Sequence, residues 1–109
     1  MKLASKQFPN QTLTSSVGSA SNSTGLKLMD DCYAIACLAS GLTNTVTVQV
    51  EESDTGTNWT NLYSAGVLVN LQASGCIVIG PVPFRQIRFN SAATEGAVRT
   101  IRTIGQIVV

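Results

Sequence analysis

The sequence predicts an all-β fold, an antiparallel β-sandwich or jelly-roll-like domain of about seven or eight strands with an extended N-terminal arm. Short runs rich in Val, Ile and Thr are separated by Gly, Asn, Asp and Ser at intervals of about 8–12 residues. Residues 45–51, TVTVQVE, alternate apolar and polar side chains, and no stretch follows a helical period. The predicted strands are Leu26–Met29, Cys32–Ala39, Thr45–Ser53, Trp59–Tyr63, Gly66–Gln72, Cys76–Ile79, Phe84–Asn90 and Val98–Val108.

Residues 1–25 differ in composition from the rest of the chain, because Ser, Thr, Asn and Gly are frequent there and apolar side chains are few. This composition favours either an extended arm or a first edge strand at Gln11–Ser16 followed by a flexible loop. In both interpretations the segment is able to reach a neighbouring molecule, with Phe8 and Leu13 as candidate contacts. Deletion of residues 1–24 is then expected to leave a folded sandwich that no longer binds its partner. Residues 26–109 then form a single β-sandwich domain, as the chain length suggests.

The TVTVQVE strand places its three valines on one face, because successive side chains of a strand point to opposite sides. Residues 53–56, SDTG, supply turn residues, and an extended run resumes at Trp59. Residues 45–63 are therefore expected to form one hairpin with Trp59 in the core beside it. The expected core anchors are Val46, Val48, Val50, Trp59, Ile87 and Phe89.

Later runs are less clearly amphipathic. CIVI at residues 76–79 is apolar on both faces, and the following GPVP ends it because proline has no N–H for a strand ladder. In FRQIRFN, Ile87 and Phe89 share a face with Arg85, so neither face is purely apolar. The last strand is similarly mixed, and Gly105 is a candidate β-bulge within it.

Arginine is concentrated in the C-terminal half: residues 64–109 carry four Arg and one acid, whereas residues 1–63 carry three Lys and five acids. If the last two strands paired around residues 93–94, two pairs of arginines would face each other, which destabilises a sheet. Either the register differs, or carboxylates of this chain or of another chain lie between them. The candidate partner contacts are Arg85, Arg88, Arg99 and Arg102, together with Phe8 and Leu13.

The residue types argue against an enzyme. The chain has no His, which removes the commonest general base and metal ligand, and its six acidic residues are dispersed. We expect no catalytic residue, no metal site and no cofactor. A net charge of +1, few aromatic residues and the lack of a Lys/Arg run argue against direct nucleic-acid binding. No apolar run reaches the about 18 residues of a membrane helix, and no secretory signal is recognised, so a soluble protein is expected.

The three cysteines, Cys32, Cys37 and Cys76, lie in or beside apolar runs, where a free thiol behaves as a small buried hydrophobic group. Cys32 and Cys37 are five residues apart and therefore expected on opposite faces of one strand. A bridge between sheets from Cys37 to Cys76 stays open, although an odd number of thiols and no signal peptide favour a reducing compartment.

The order of motifs provides a resemblance. The strand and turn CYAIACLASGL come first, and a Ser-Asp-x-Gly turn with a Trp-Thr-x-Leu strand follows at Ser53, Asp54, Gly56, Trp59, Thr60 and Leu62. A Phe-Arg-x-Ile-Arg strand comes later, at Phe84, Arg85, Ile87 and Arg88. Over residues 26–109 this order resembles small β-sandwich virion proteins of tailed bacteriophages, of the capsid decoration or cement type.

The resemblance implies a non-enzymatic virion protein on the capsid surface, assembled in the host cytoplasm, that binds the major capsid protein or other virion proteins and stabilises the shell. It also implies a homo-oligomer, with a trimer favoured. Two alternatives stay open: a neck or tail adaptor, and a glycan- or receptor-binding module. The last would use Trp59, Tyr33 and Tyr63 as a platform for sugar rings, although these residues are also suited to core packing.

Overall fold

The computed structural model describes residues 2–13, 21–23, 25–28, 32–42, 44–51, 57–72, 75–80, 84–91 and 98–109. These residues contain thirteen short strands and no helix, and hence no helix that could span a membrane. The predicted turn at residues 53–56 and the GPVP segment beyond Gly80 lie outside the described residues. The strands are β1 (Leu3–Gln7), β2 (Gln11–Leu13), β3 (Ser21–Asn22), β4 (Leu26–Lys27), β5 (Cys32–Ala39), β6 (Val46–Glu51), β7 (Thr60–Asn61), β8 (Tyr63–Ser64), β9 (Val67–Leu68), β10 (Asn70–Leu71), β11 (Gly75–Ile79), β12 (Gln86–Ser91) and β13 (Arg99–Val108).

The strands form two antiparallel sheets and a small β8–β9 hairpin. In the first sheet, β1 and β2 lie along one edge of β13, followed by β5 and β11. In the second, β7 and β10 lie along one edge of β6, followed by β12, with β3 and β4 on its far edge. If β1 with β2, β3 with β4, and β7 with β10 each count as one interrupted strand, the two sheets of the described residues have four strands each. Numbered one to eight along the chain, these strands have the order 1-8-3-6 in the first sheet and 2-7-4-5 in the second. This is the strand order of a jelly roll, so the predicted all-β sandwich is confirmed.

The first strand is interrupted at Pro9. Gln7 lies opposite Ile104 and Gln11 opposite Ile101, so this strand has one more residue than the matching stretch of β13. Proline has no N–H to donate and is suited to such an edge interruption. Phe8 lies opposite buried Thr103, to whose carbonyl its N–H donates at 3.0 Å, and the extra residue falls between Phe8 and Gln11, so that Phe8, Gln11 and Leu13 all face the core. The N-terminal segment is therefore an edge strand over residues 3–13. The edge strand considered from the sequence, Gln11–Ser16, overlaps it at Gln11–Leu13, and residues 14–16 lie outside the described residues.

The second strand has a similar interruption at Ser23, between β3 and β4. Ser23 donates its N–H to the Phe89 carbonyl at 2.9 Å, and its Oγ accepts the Phe89 N–H at 2.9 Å. Beside it, the N–H of Gly25 donates to Oε1 of Gln11 at 3.0 Å, which joins the two sheets. Because Ser23 and Gln11 are buried, these bonds satisfy polar groups that water does not reach.

The core lies between the sheets, and most of the predicted anchors are in it. Val46, Val48, Ile87 and Phe89 are fully buried, and Val50 is partly buried against them. The predicted hairpin is confirmed where β6 pairs with β7, because Gln49 and Val50 lie opposite Asn61 and Thr60. Trp59 was expected in this core, but the structure places its half-buried side chain on the outer side of the second sheet, beside Gly25 and Arg88.

The hairpin considered for the last two strands does not form, because β12 lies in the second sheet and β13 in the first, so the arginines of the two strands do not face each other. The expectation that Cys32 and Cys37 lie on opposite faces is wrong, because both are buried. Cys32 pairs with Ile107 of β13, and Ala34 pairs with the adjacent residue Gln106. Tyr33, between Cys32 and Ala34, is therefore an extra residue in β5, a β-bulge that turns Cys32 inward.

Gly105 is not the site of a bulge, since its neighbours on β1 and β5 pair with it in unbroken register. Its role is spatial: a Cβ on Gly105 would overlap the Cε2 atom of Phe8. Glycine at this position thus makes room for the ring that enters the core from the interrupted first strand.

Candidate functional site

The outer side of the first sheet carries a contiguous group of apolar side chains beside polar ones. Side chains of β5 alternate, so Ile35 and Cys37 point into the core and their neighbours point outward. The register places Ile104 beside Ala36, and Ala36 beside Val78, in one row across three strands. We name the outward apolar residues of these strands the apolar face; they are Ala34, Ala36, Leu38, Cys76, Val78 and Ile104, and the polar side chains of Arg102 and Gln106 lie beside Leu38 and Ala34 on the same side.

This apolar face is unusual for a sheet that meets water, because such a face is usually lined by polar side chains. Val78 is 73% exposed, and the other apolar members are partly exposed or, like Cys76, fully exposed. A cleft of 220 Å³ on this side is lined by uncharged residues, among them Ser5, Ala36, Val78 and Gln106. A second cleft, of 570 Å³, extends past Leu38 to Arg102, the exposed cation at the margin of the face.

The outer side of the second sheet is polar. Arg88 Nε donates to Gln49 Oε1 at 2.8 Å, and Gln49 Nε2 donates to Asn61 Oδ1 at 3.0 Å. The guanidinium carbon of Arg88 lies 4.5 Å from the centre of the Trp59 ring, a distance typical of a cation–π contact. Burial lowers the pKa of Arg88, and the nearby Glu51 carboxylate opposes this shift, so the group stays charged at neutral pH.

Glu51 is a buried carboxylate on the same side. It accepts hydrogen bonds at 3.5 Å from the Asn58 N–H and from Gln86 Nε2, at its two oxygens. Gln86 lies directly opposite Glu51 on β12. Glu51 therefore holds the residues before β7 close to β12, which is a structural role on this sheet.

The structure does not gather the predicted contacts into one site. Phe8 and Leu13 are wrong as partner contacts, because both are buried in the core of this chain, at 4% and 0% exposure. The four arginines lie apart. Arg85 and Arg102 are exposed, Arg88 is stacked on Trp59, and Arg99 is half-buried near Gly41.

The three aromatic residues of the sugar-binding alternative are also separated. Trp59 packs against Arg88 of the second sheet, Tyr33 belongs to β5 of the first, and Tyr63 belongs to the β8–β9 hairpin. One side of the Trp59 ring is already covered by the guanidinium group. The structure therefore does not assemble a common platform from these three side chains.

All three cysteines are free, and Cys76 is exposed rather than buried as expected. Cys37 and Cys76 lie on adjacent strands of the same sheet, not on different sheets. Cys37 is opposite Ile77, so the two thiols point to different faces. Burial raises the pKa of Cys37 from 9.0 to about 12, with a smaller contribution from the neighbouring Cys76 thiol.

This shift predicts a loss of stability at high pH. Between pH 9.0 and about 12 the native protein keeps the Cys37 proton, whereas the unfolded chain loses it. The contribution is therefore complete below pH 9.0 and is lost as the pH rises, by up to about 1.4 kcal/mol per pH unit. Urea unfolding of the wild type and Cys37→Ala over this range should show the steeper loss in the wild type. Parallel curves for the two proteins would contradict the assignment.

The apolar face was not identified as a site from the sequence, although a signal for it was present. CIVI is apolar on both sides, and AIACLA in β5 also lacks any polar side chain. The two strands lie next to each other in the first sheet, so their second apolar sides combine into one surface.

The described residues contain no cluster of three His, Cys, Asp or Glu side chains that could hold a metal ion.

No family model matches the chain, and neither a curated protein nor a solved structure matches it.

Proposed function

We propose that this chain is a non-enzymatic structural protein of a tailed-phage virion that binds the outside of the capsid shell and stabilises contacts between major capsid proteins. The observation that carries the proposal is the apolar face of the first sheet. A contiguous apolar patch on the surface of a soluble protein commonly marks an interaction site, and a subunit of an assembly buries such side chains against a neighbour.

Two other features support the proposal. The strand order is that of a jelly roll, an architecture found in viral capsid and lectin domains. The motifs that resemble phage decoration proteins are divided between the sheets: CYAIACLA is β5 of the first sheet and includes three residues of the apolar face, whereas Thr60, Ile87 and Arg88 lie on strands of the second. Each contact with the shell is small, but many copies on a repeating lattice reinforce one another through neighbouring contacts.

The test is co-sedimentation of the purified full-length chain with undecorated capsid shells. Wild-type protein is expected to sediment with the shells. Ala36→Asp, which places a carboxylate at the centre of the apolar face, is expected to weaken binding by about tenfold or more, since a buried unpaired charge costs several kcal/mol.

Thr47→Asp is the matched control, because Thr47 also points outward, but from the polar side of the second sheet. It should sediment like the wild type, and circular dichroism should show both variants folded. Wild-type protein that does not sediment with shells but does sediment with purified necks or tails would favour the adaptor alternative. Equal sedimentation of Ala36→Asp and wild type would exclude the apolar face as the binding surface.

A further inference from the structure

Strand β11 forms an open edge of the first sheet. On one side it pairs with β5 over five consecutive residues without a register shift. On its other side, no strand among the described residues pairs with it. Natural proteins usually protect such an edge with a charge, a proline or a bulge. The residues of β11, GCIVI, contain none of these protections, and Val78 in this strand is 73% exposed.

We propose that a second copy of this chain pairs with β11 in antiparallel orientation, about a two-fold axis through Ile77. Residues directly opposite each other on antiparallel strands point to the same face. In a symmetric pair of β11 strands, an odd-numbered residue must therefore lie opposite an odd-numbered one, and an even-numbered residue opposite an even-numbered one. With Ile77 opposite its own copy, Cys76 lies opposite Val78 of the second copy, and both are outward residues of the apolar face. The pair joins two four-stranded sheets into one.

The absence of charge on β11 and beside Val78 favours a second copy as the occupant; Arg102, which lines the 570 Å³ cleft together with Gly75 and Cys76, lies on β13, two strands away from this edge. In a two-fold pair each side chain near the axis meets its own copy, so any charge there would meet a like charge. Neither β11 nor the residues that line the two clefts beside Val78, of 220 and 230 Å³, include a charged side chain. Two copies of this edge therefore approach each other without repulsion between like charges. A partner that is recognised through charge would have no charged residue of β11 to pair with.

The β11 strand alone buries too little area for a stable dimer, so the contact must include neighbouring residues. Five residues extend over about 17 Å, and alone they cover less than the about 800 Å² per partner of a standard interface. Tyr63, which is 59% exposed, lines the same 230 Å³ cleft as Val78. The second copy covers this ring and Val78 together, which adds apolar area to the ladder of backbone hydrogen bonds.

The inference does not depend on the capsid proposal, since β11 lacks a second neighbouring strand among the described residues whatever the apolar face binds. It differs from the trimer that the resemblance implies, because an isologous contact between identical strands closes with two copies. A two-fold axis perpendicular to the sheet also brings both apolar faces to the same side. The dimer then presents a face twice as wide to any larger partner.

The first test is the mass of the full-length protein in solution by light scattering. The wild type is expected to be a dimer. Val78→Lys is expected to raise the dissociation constant by about tenfold or more, because edge lysines of the two copies repel each other. Val98→Lys is the matched control, since Val98 is 61% exposed and lies outside β11, and it should remain dimeric.

The second test fixes the register. Val78→Cys places a thiol opposite Cys76 of the other copy, so mild oxidation should link two chains, and the link should be lost in Cys76→Ser/Val78→Cys. Ser5→Cys carries an exposed thiol on the opposite edge strand, β1, and should link much less. A monomeric wild type, a mass unchanged by Val78→Lys, or equal linking in the Ser5→Cys control would each overturn the proposal.

Discussion

Replacing Phe8 with alanine is expected to lower the free energy of unfolding by about 3 to 5 kcal/mol, a large part of the total stability of a small domain. The ring is 4% exposed and belongs to the core cluster between the sheets. Its loss leaves a cavity where the first strand enters the core. Urea unfolding followed by the fluorescence of Trp59, the single tryptophan, measures the change.

Ser5→Ala is the control for this prediction, because Ser5 lies on β1 and is exposed. It should change the stability by no more than about 0.5 kcal/mol. A similarly small effect of Phe8→Ala would mean that the N-terminal segment does not contribute to the core. If the large effect is observed, deletion of residues 1–24 removes part of the fold, and point variants such as Ala36→Asp are the proper test of shell binding.

Gly105→Ala is expected to destabilise the protein by about 1 to 3 kcal/mol, because the added methyl group overlaps a buried ring that packed neighbours hold in place. The contact involved is with Cε2 of Phe8. Backbone strain does not contribute, since Gly105 does not have a positive φ. Thermal and urea unfolding of the purified variant measure the loss.

A double-mutant cycle separates this contact from other effects of the alanine. In the Phe8→Ala background the ring is absent, so the added methyl group should cost less there, and the two changes should couple by about 0.5 kcal/mol or more. Additive effects would show that Gly105 is needed for another reason than the ring of Phe8.

Local features of the fold were predictable because they depend on neighbours in sequence. The period of two in TVTVQVE places Val46 and Val48 in the core, as the structure confirms. Turn residues also limit the strands, so the predicted run Cys32–Ala39 matches β5 in full. The β6–β7 hairpin follows from the same reasoning, since its two strands are close in the chain.

Pairing between distant strands was not predictable, because many pairings satisfy the same alternation and the competition among them is decided by the whole core. The last two strands are close in sequence and yet belong to different sheets. The first strand instead pairs with the last, from the other end of the chain. Phe8 is consequently a core residue, although its polar surroundings in the sequence favoured a flexible arm.

The sequence by itself determined the all-β class, the approximate strand boundaries and most inward-facing side chains, since these depend on alternation and turn chemistry. Only the tertiary structure decided the site. AIACLA and CIVI each have two apolar sides, and alternation alone does not tell which side is buried. Placing β5 beside β11 at the edge of one sheet leaves one side of each strand outside the core and leaves the edge of β11 unpaired within the described residues.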